Sequence, residues 1–241
     1  MDLRLKGKSV LVTGGSKGIG LACARAFAAE GCRVHLAARD EDRLAQAARG
    51  LGGEVKTHSV DLRDGTALRQ LAKDCADVDI LVNNAGDIPG GTIETLDDAK
   101  WRHAWELKVF GFINLTRELY PRLKTRKGVI VNVIGMAGEH GSFEYICGAA
   151  ANAGLANFTK ALGRGYAQHG VRVVGVHPPS TRTDRIITLM KAQAKAKFGD
   201  ESRYEELMGN VIEPEQVGDT VCFLASPRAG QLSGVVLNLG S

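Results

Sequence analysis

"VLVTGGSKGIG", residues 10–20, decides how this chain folds. Val10, Leu11 and Val12 form a continuous apolar run, as in a strand buried on both faces. The run breaks into glycines and then resumes as "GIGLACARAFAAEG", whose Ala/Leu-rich composition reads as a helix. A strand that turns through glycines straight into a helix places backbone N–H groups and the positive helix end together, where a pyrophosphate is held. Gly14, Gly18 and Gly20 would give the tight turn and the close approach, with Ser16, Lys17 and Ile19 completing the loop. A bare glycine cluster occurs in many tight turns; the strand before it and the helix after it make this one specific.

The same rhythm continues outward. "RVHLAA", "VKTHSV", "DILVNN", "GVIVNVI", "VRVVGVH" and "VVLNL" are further strand candidates, making seven with the first. Most are continuously apolar, and Ala/Leu-rich helical segments separate them. Such alternation implies right-handed βαβ units and therefore an α/β fold: a single-domain Rossmann fold of residues 1–241, with a seven-stranded doubly wound parallel sheet and helices on both faces. The segment "TLDDAKWRHAWELKVFGFINL" opens with Thr95-Leu-Asp-Asp98, which predicts a capping box. After the sixth strand, residues 184–212 form an amphipathic helical insertion placed to act as a substrate lid over the crevice. Its lysines, Lys191, Lys195 and Lys197, suit either an acidic substrate or, more simply, a solvated helix face.

Composition narrows the function classes. A net charge of +4, without a basic run interleaved with aromatics, gives no reason to expect nucleic acid. No apolar stretch has the length of a signal or a bilayer span, so the expectation is a soluble cytoplasmic protein without a membrane partner. Five scattered cysteines with no C-x-x-C pair, and six histidines without ligand spacing, predict free thiols and no metal site.

The motif spacing resembles the short-chain dehydrogenase/reductase family over essentially the whole chain. TGxxxGIG at the first turn, Asp61-Leu62 in "SVDL", "NNAG" at Asn83 to Gly86, "RVVGVHPPSTRTD" ending near Thr183, and the "EPEQVGDTVCFLAS…LSGVVLNLG" terminus all fall at family intervals. The resemblance implies a nicotinamide dinucleotide contacted by the glycine loop, Asp61, Leu62, Asn83, Ala85, Gly86 and Thr183. It also implies a homo-oligomer, a dimer or more commonly a tetramer. Ala38 stands where the family usually places an acid for a ribose 2′-hydroxyl, and Arg39 follows it. With Lys17, Arg39 points to NADP(H), since a guanidinium suits a phosphate. The alternative leaves Arg39 at the surface and gives Asp40 the acid role.

The catalytic half departs from the family. A gapless match puts Lys108, Gly135, Gly148 and Asn152 at the positions of the usual Asn, Ser, Tyr and Lys. Tyr145 lies about one helical turn before the tyrosine position. The Asn and Lys types have exchanged helices, so an ammonium and an amide are still expected in the crevice. Lys108 sits among apolar residues, where burial would lower its pKa. It either works there or snorkels or pairs with Glu106 or Glu139. Tyr145 is either a packed aromatic or the acid–base phenol, its pKa lowered by Lys108. Glu139, His140, Ser142 and Glu144 are further polar groups on that loop. The expectation is an oxidoreductase acting on a small carbonyl or alcohol with a rearranged site; a lyase, isomerase or aldolase-like enzyme and an NADP(H)-binding sensor are the alternatives.

Overall fold

The computed structural model describes residues 1–209 and 211–240. All seven strand candidates form: β1 Ser9–Thr13, β2 Arg33–Ala38, β3 Val55–Ser59, β4 Ile80–Asn83, β5 Val129–Val133, β6 Arg172–His177 and β7 Val235–Asn238. They make one sheet in the order β3-β2-β1-β4-β5-β6-β7, with every pairing parallel. The helices are α1 Gly18–Ala29, α2 Glu41–Arg49, α3 Gly65–Asp74, α4 Asp98–Trp105, α5 Gly111–Arg126, α6 Ala137–His140, α7 Ile146–Gly163, α8 Tyr166–His169, α9 Asp184–Phe198, α10 Glu205–Met208 and α11 Pro214–Ala225.

Period-two alternation along each strand divides the core between two faces. Val10, Val12, Val34, Leu36, Val82, Val131 and Val174 pack with α1, α2 and α11. Leu11, Ala37, Leu81, Ile130 and Val173 face α3 and α5. Strands β1, β4 and β6 are buried throughout. The edge strands differ from the expectation of burial on both sides: β3 exposes Lys56 and Thr57, and β7 is only half-buried. An edge has no neighbour on one side, and exposed polar residues discourage stray pairing there.

Caps begin several helices where the chain leaves a strand. Asp40, Asp64 and Asp97 each accept from backbone N–H groups at the start of α2, α3 and α4. Such a cap is worth about 1 kcal/mol. Asp97 also corrects the capping box expected at Thr95. The Thr95 hydroxyl instead accepts from the Thr92 N–H in the preceding turn, and the helix starts later. A π-helical turn, Glu106–Phe110, joins α4 to α5 and carries Lys108. Extra residues of this kind often lie where a helix re-aims a functional side chain.

Candidate active site

The glycine loop is built by contact with the end of β4. A Cβ on Gly20 would lie 2.2 Å from the Gly14 carbonyl oxygen, so α1 approaches the loop at a distance only glycine permits. Gly14 adopts φ +65°, and a side chain there would meet Asn84 and Ala85. Asn84 fastens the loop: its Nδ2 donates to the Thr13 carbonyl, and the Asn84 and Ala85 N–H groups donate to Thr13 Oγ1. The first turn of α1 contains no acidic residue and its N-cap, Lys17, makes no side-chain cap. Its N–H groups are therefore free to receive an anion. Thr183 lies over the loop, its methyl 3.2 Å from where a Gly18 side chain would begin. Ser16 is half-buried in the loop, and Ile19 packs on the core from the first turn of α1.

Two family-matched residues are turned inward. The Asn83 side chain donates to Thr116 Oγ1 and Asn132 Oδ1 inside the core, so only its backbone is offered to the crevice. Leu62 is buried against Gly111 in the same way. Asp61 forms a forked pair with Arg63, at 2.9 and 3.1 Å from Nε and 2.5 Å from a terminal nitrogen. That hydrogen bond holds the Asp61 carboxyl below its usual pKa. Arg39 is exposed at the end of β2, 4.0 Å from Asp87. Asp40 is committed to capping α2 and pairs with Arg43 at 3.1 Å.

The catalytic corner lies at the carboxyl ends of β4, β5 and β6. Tyr145 is the residue preceding α7, and its ring crosses directly over Gly148. A Cβ on Gly148 would come within 2.1 Å of the Tyr145 ring carbons and 2.6 Å of its hydroxyl. The phenol thus fills the space in which a side chain at residue 148 would start. Tyr145 is anchored by its backbone, where Gly91 N–H donates to the Glu144 carbonyl at 2.7 Å.

Lys108 is buried, and its stem passes over Gly86, where an added Cβ would be 2.9 Å from Lys108 Cδ. Its ammonium donates to the Ile134 carbonyl at 2.6 Å. It neither snorkels nor pairs with Glu106 or Glu139; among the described residues no carboxylate lies within salt-bridge distance. Burial, followed by the charge of Arg185, pushes its pKa down to about 7. On the other side of the same strand end, Asn152 is buried with its Nδ2 2.8 Å from where a Gly135 Cβ would be. Its Oδ1 is buried without a hydrogen-bond partner. The ammonium from the fourth helical region and the amide from α7 therefore meet at Ile134–Gly135, as the exchange of types implied.

Sequence reading missed two members of this corner. Arg185, in the first turn of α9, donates to the Ile88 carbonyl, and its charge acts on the Tyr145 phenol. His177 ends β6 fully buried, with Nδ1 2.6 Å from the Gly135 carbonyl. Its Nε2 is 3.2 Å from Glu139, but not aligned as a hydrogen bond, and burial keeps the ring neutral by pushing its pKa down. Arg185 offered no local signal, being one cation among many in the lid segment; His177 lay inside a quoted motif without being singled out.

The expectation that Lys108 lowers the Tyr145 pKa needs correcting. Burial raises the phenol above its usual value, and the cation that pulls it partway back is Arg185. At neutral pH Tyr145 is thus a protonated phenol.

A doubly wound parallel sheet with a glycine cradle at its first turn defines a protein of the dinucleotide-fold class. The family model for short chain dehydrogenases matches residues 8–194. The 3-oxoacyl-[acyl-carrier-protein] reductase of Vibrio cholerae is 31% identical over 98% of this chain and 97% of its own. Meso-2,3-butanediol dehydrogenase of Serratia marcescens is 31% identical over 96% and 92%. The crystal structure of L-sorbose reductase from Gluconobacter frateurii, complexed with NADPH and L-sorbose, superposes with a TM-score of 0.93 at 30% identity, covering 99% of this chain and 97% of that one. The chain belongs to the short-chain dehydrogenase/reductase family.

Proposed function

We propose that this chain is an NADP(H)-dependent oxidoreductase that interconverts a small carbonyl compound and its alcohol, with Tyr145 as the proton donor and acceptor. The observation that carries the reading is the Tyr145 ring lying over Gly148, in the space a tyrosine at residue 148 would need.

The residues fit a dinucleotide. Gly14, Gly18 and Gly20, with Ser16 and Ile19 between them, offer a backbone cradle that a Cβ at the glycines would fill, and the unpartnered Asn152 Oδ1 lies beside Gly135. Lys17 and Arg39 would hold a 2′-phosphate. Asp40, already capping α2, is not free to take the acid role that would favour NAD. Asp61 and Leu62 would bound the adenine, while Asn83, Ala85, Gly86 and Thr183 would contact the nicotinamide side. When bound, the cofactor supplies the hydride chemistry that side chains lack.

The chain's own residues do the rest. Tyr145 gives its proton to the carbonyl oxygen in reduction and takes one back in oxidation. Arg185, whose charge acts on the phenol, stabilises the phenolate left behind. Lys108 and Asn152 hold the Ile134–Gly135 corner, Lys108 through its bond to the Ile134 carbonyl and Asn152 by packing against Gly135. Because Arg185 comes from α9, the helical segment after β6 acts as a lid that completes the site. The likeness to a 3-oxoacyl-[acyl-carrier-protein] reductase and an L-sorbose reductase supports a small carbonyl substrate.

The test is NADPH oxidation with a panel of ketoses, diketones and 3-oxoacyl thioesters. Tyr145→Phe should lower kcat by about 10²–10⁴ while NADPH affinity stays within about threefold. A fully active Tyr145→Phe enzyme overturns the assignment.

The half-buried apolar edge at β7 and the exposed Phe110 beside Trp101 and Trp105 favour a homo-oligomer, dimer or tetramer, checked by sedimentation equilibrium. The five free cysteines suit a reducing cytoplasmic compartment.

A further inference from the structure

Three chemistry-bearing side chains converge far from the crevice. His35 on β2, His58 on the edge strand β3, and Cys75 at the carboxyl end of α3 meet beneath that helix. His35 Nδ1 is 3.0 Å from His58 Nε2, and Cys75 Sγ is 3.4 Å from the first nitrogen and 3.6 Å from the second. Among the described residues no other group of His, Cys, Asp and Glu donors is so arranged. Local spacing predicted no metal site because the three ligands are separated by 23 and 17 residues, and only the parallel pairing of β2 with β3 and the return of α3 assemble them.

We propose that His35, His58 and Cys75 form a zinc site that clips β3 and α3 to β2. A tetrahedral Zn²⁺ with Zn–N of about 2.0–2.1 Å and Zn–S of about 2.3 Å sets N···N near 3.3 Å and N···S near 3.6 Å. The three measured separations fall within about 0.3 Å of those values. The two imidazole planes are only 9° apart, with ring centroids separated by 5.2 Å. The N₂S donor set is too soft for magnesium or calcium.

The surroundings match as well. Asp77 Oδ1 stands 3.8 Å from His35 Nε2, behind the ring, where a carboxylate orients a metal-binding imidazole. The charges of Asp74 and Asp77 both act on the cluster, with Lys56 and Arg33 opposing them. Burial keeps both imidazoles neutral with a lone pair available. Cys75 is a thiol, its pKa pushed up to about 12, so binding replaces S–H by Zn–S⁻ and releases one proton to solvent. Water takes the fourth position. The site's place at one edge of the sheet makes its role structural: it ties down the only edge strand that leads into Asp61.

Cobalt and zinc titrations of the purified full-length protein test this independently of any redox activity. One equivalent of Co²⁺ should produce a sulfur-to-metal charge-transfer band with intense tetrahedral ligand-field bands. Zn²⁺ should displace it, and Zn²⁺ added to the metal-free protein should release one proton and raise Tm by about 5 °C or more at a hundredfold excess over Kd. Cys75→Ser should remove the charge-transfer band, and His58→Ala, at a half-buried edge position, should weaken cobalt binding at least tenfold. Cys222→Ser should change neither. A cobalt spectrum without the sulfur band, or one that survives Cys75→Ser, overturns the proposal and leaves a plain imidazole hydrogen bond.

Discussion

The glycine-loop end and the Tyr145 corner of this molecule sit along the same carboxyl edge of one sheet, yet they are built on opposite terms. At the glycine loop, backbone does the work: Gly20 against the Gly14 carbonyl, and Asn84 tying Thr13 to the end of β4. No side chain there can be exchanged for another without losing the approach. At the Tyr145 corner, side chains are packed in sets with glycines. Tyr145 requires Gly148, Lys108 runs across Gly86, and Asn152 packs on Gly135. Each large group has a glycine partner. The lesson is that a backbone site changes little because every residue answers to the same loop, whereas a side-chain site can move one turn if its partner shrinks to make room.

The strongest way to break that comparison is to restore one side chain without its partner. Gly148→Tyr places a Cβ where the Tyr145 ring lies and should lower kcat by about 10³ or more, with overpacking costing roughly 1–3 kcal/mol. Adding Tyr145→Ala should return at least about tenfold of the lost rate and most of the lost Tm. Recovery is read as a positive coupling in the double-mutant cycle. Additive losses would show that the ring and the glycine do not share one space.

At the other end, Arg39→Ala probes an exposed charge instead of a packed one. Loss of a charge-assisted contact worth about 1.5–3 kcal/mol should weaken NADPH roughly 10–100-fold. NADH binding should be unchanged, and fluorescence titration of both cofactors measures the difference. An equal effect on both would remove Arg39 from phosphate recognition.

Most of the fold was legible, because strands buried on both faces announce themselves as apolar runs and all seven form. The edges read less well: β3 carries Lys56 and Thr57 outward, a pattern that depends on having no neighbour. Thr95 looked like a helix cap, but Asp97, two residues on, is the better competitor for the first turn. The glycine turn between β1 and α1 was legible for the same reason as the sheet, since its signal is local. The catalytic half was legible only as departures from expectation. Tyr145 and Gly148 could be named, but that one ring fills the other's space is a fact of three dimensions. Arg185 is hidden because α9 brings it back from a distant stretch, and the His35–His58–Cys75 cluster is hidden in the same way.

Lys108 gives a smaller and separable effect, on stability. Its pKa falls from the ordinary lysine value of 10.5 to about 7 on folding, so the unfolded chain binds more protons between those values. Stability therefore rises with pH across that window and carries the full penalty of a buried charge below pH 7. Lys108→Met should raise Tm by several degrees at pH 6, reflecting on the order of 2–4 kcal/mol, and by much less near pH 10. A Tm difference that does not narrow with rising pH would mean the ammonium is not buried at a cost.

The smallest shift asks which group carries the proton. Arg185 lowers the pKa of Tyr145 and also of Lys108, so Arg185→Ala should raise both. In the reducing direction the donor must be protonated, and activity falls as pH rises through its pKa. If Tyr145 is the donor, the alkaline limb of kcat lies above the ordinary phenol value of about 10 and moves higher in the variant. If the limb instead lies near 7 and moves up, the proton comes from Lys108, and the tyrosine over Gly148 orients the substrate without protonating it. The two outcomes differ in where the limb starts, not only in how far it moves, so a single pH profile of the unaltered protein and one of the variant separate them.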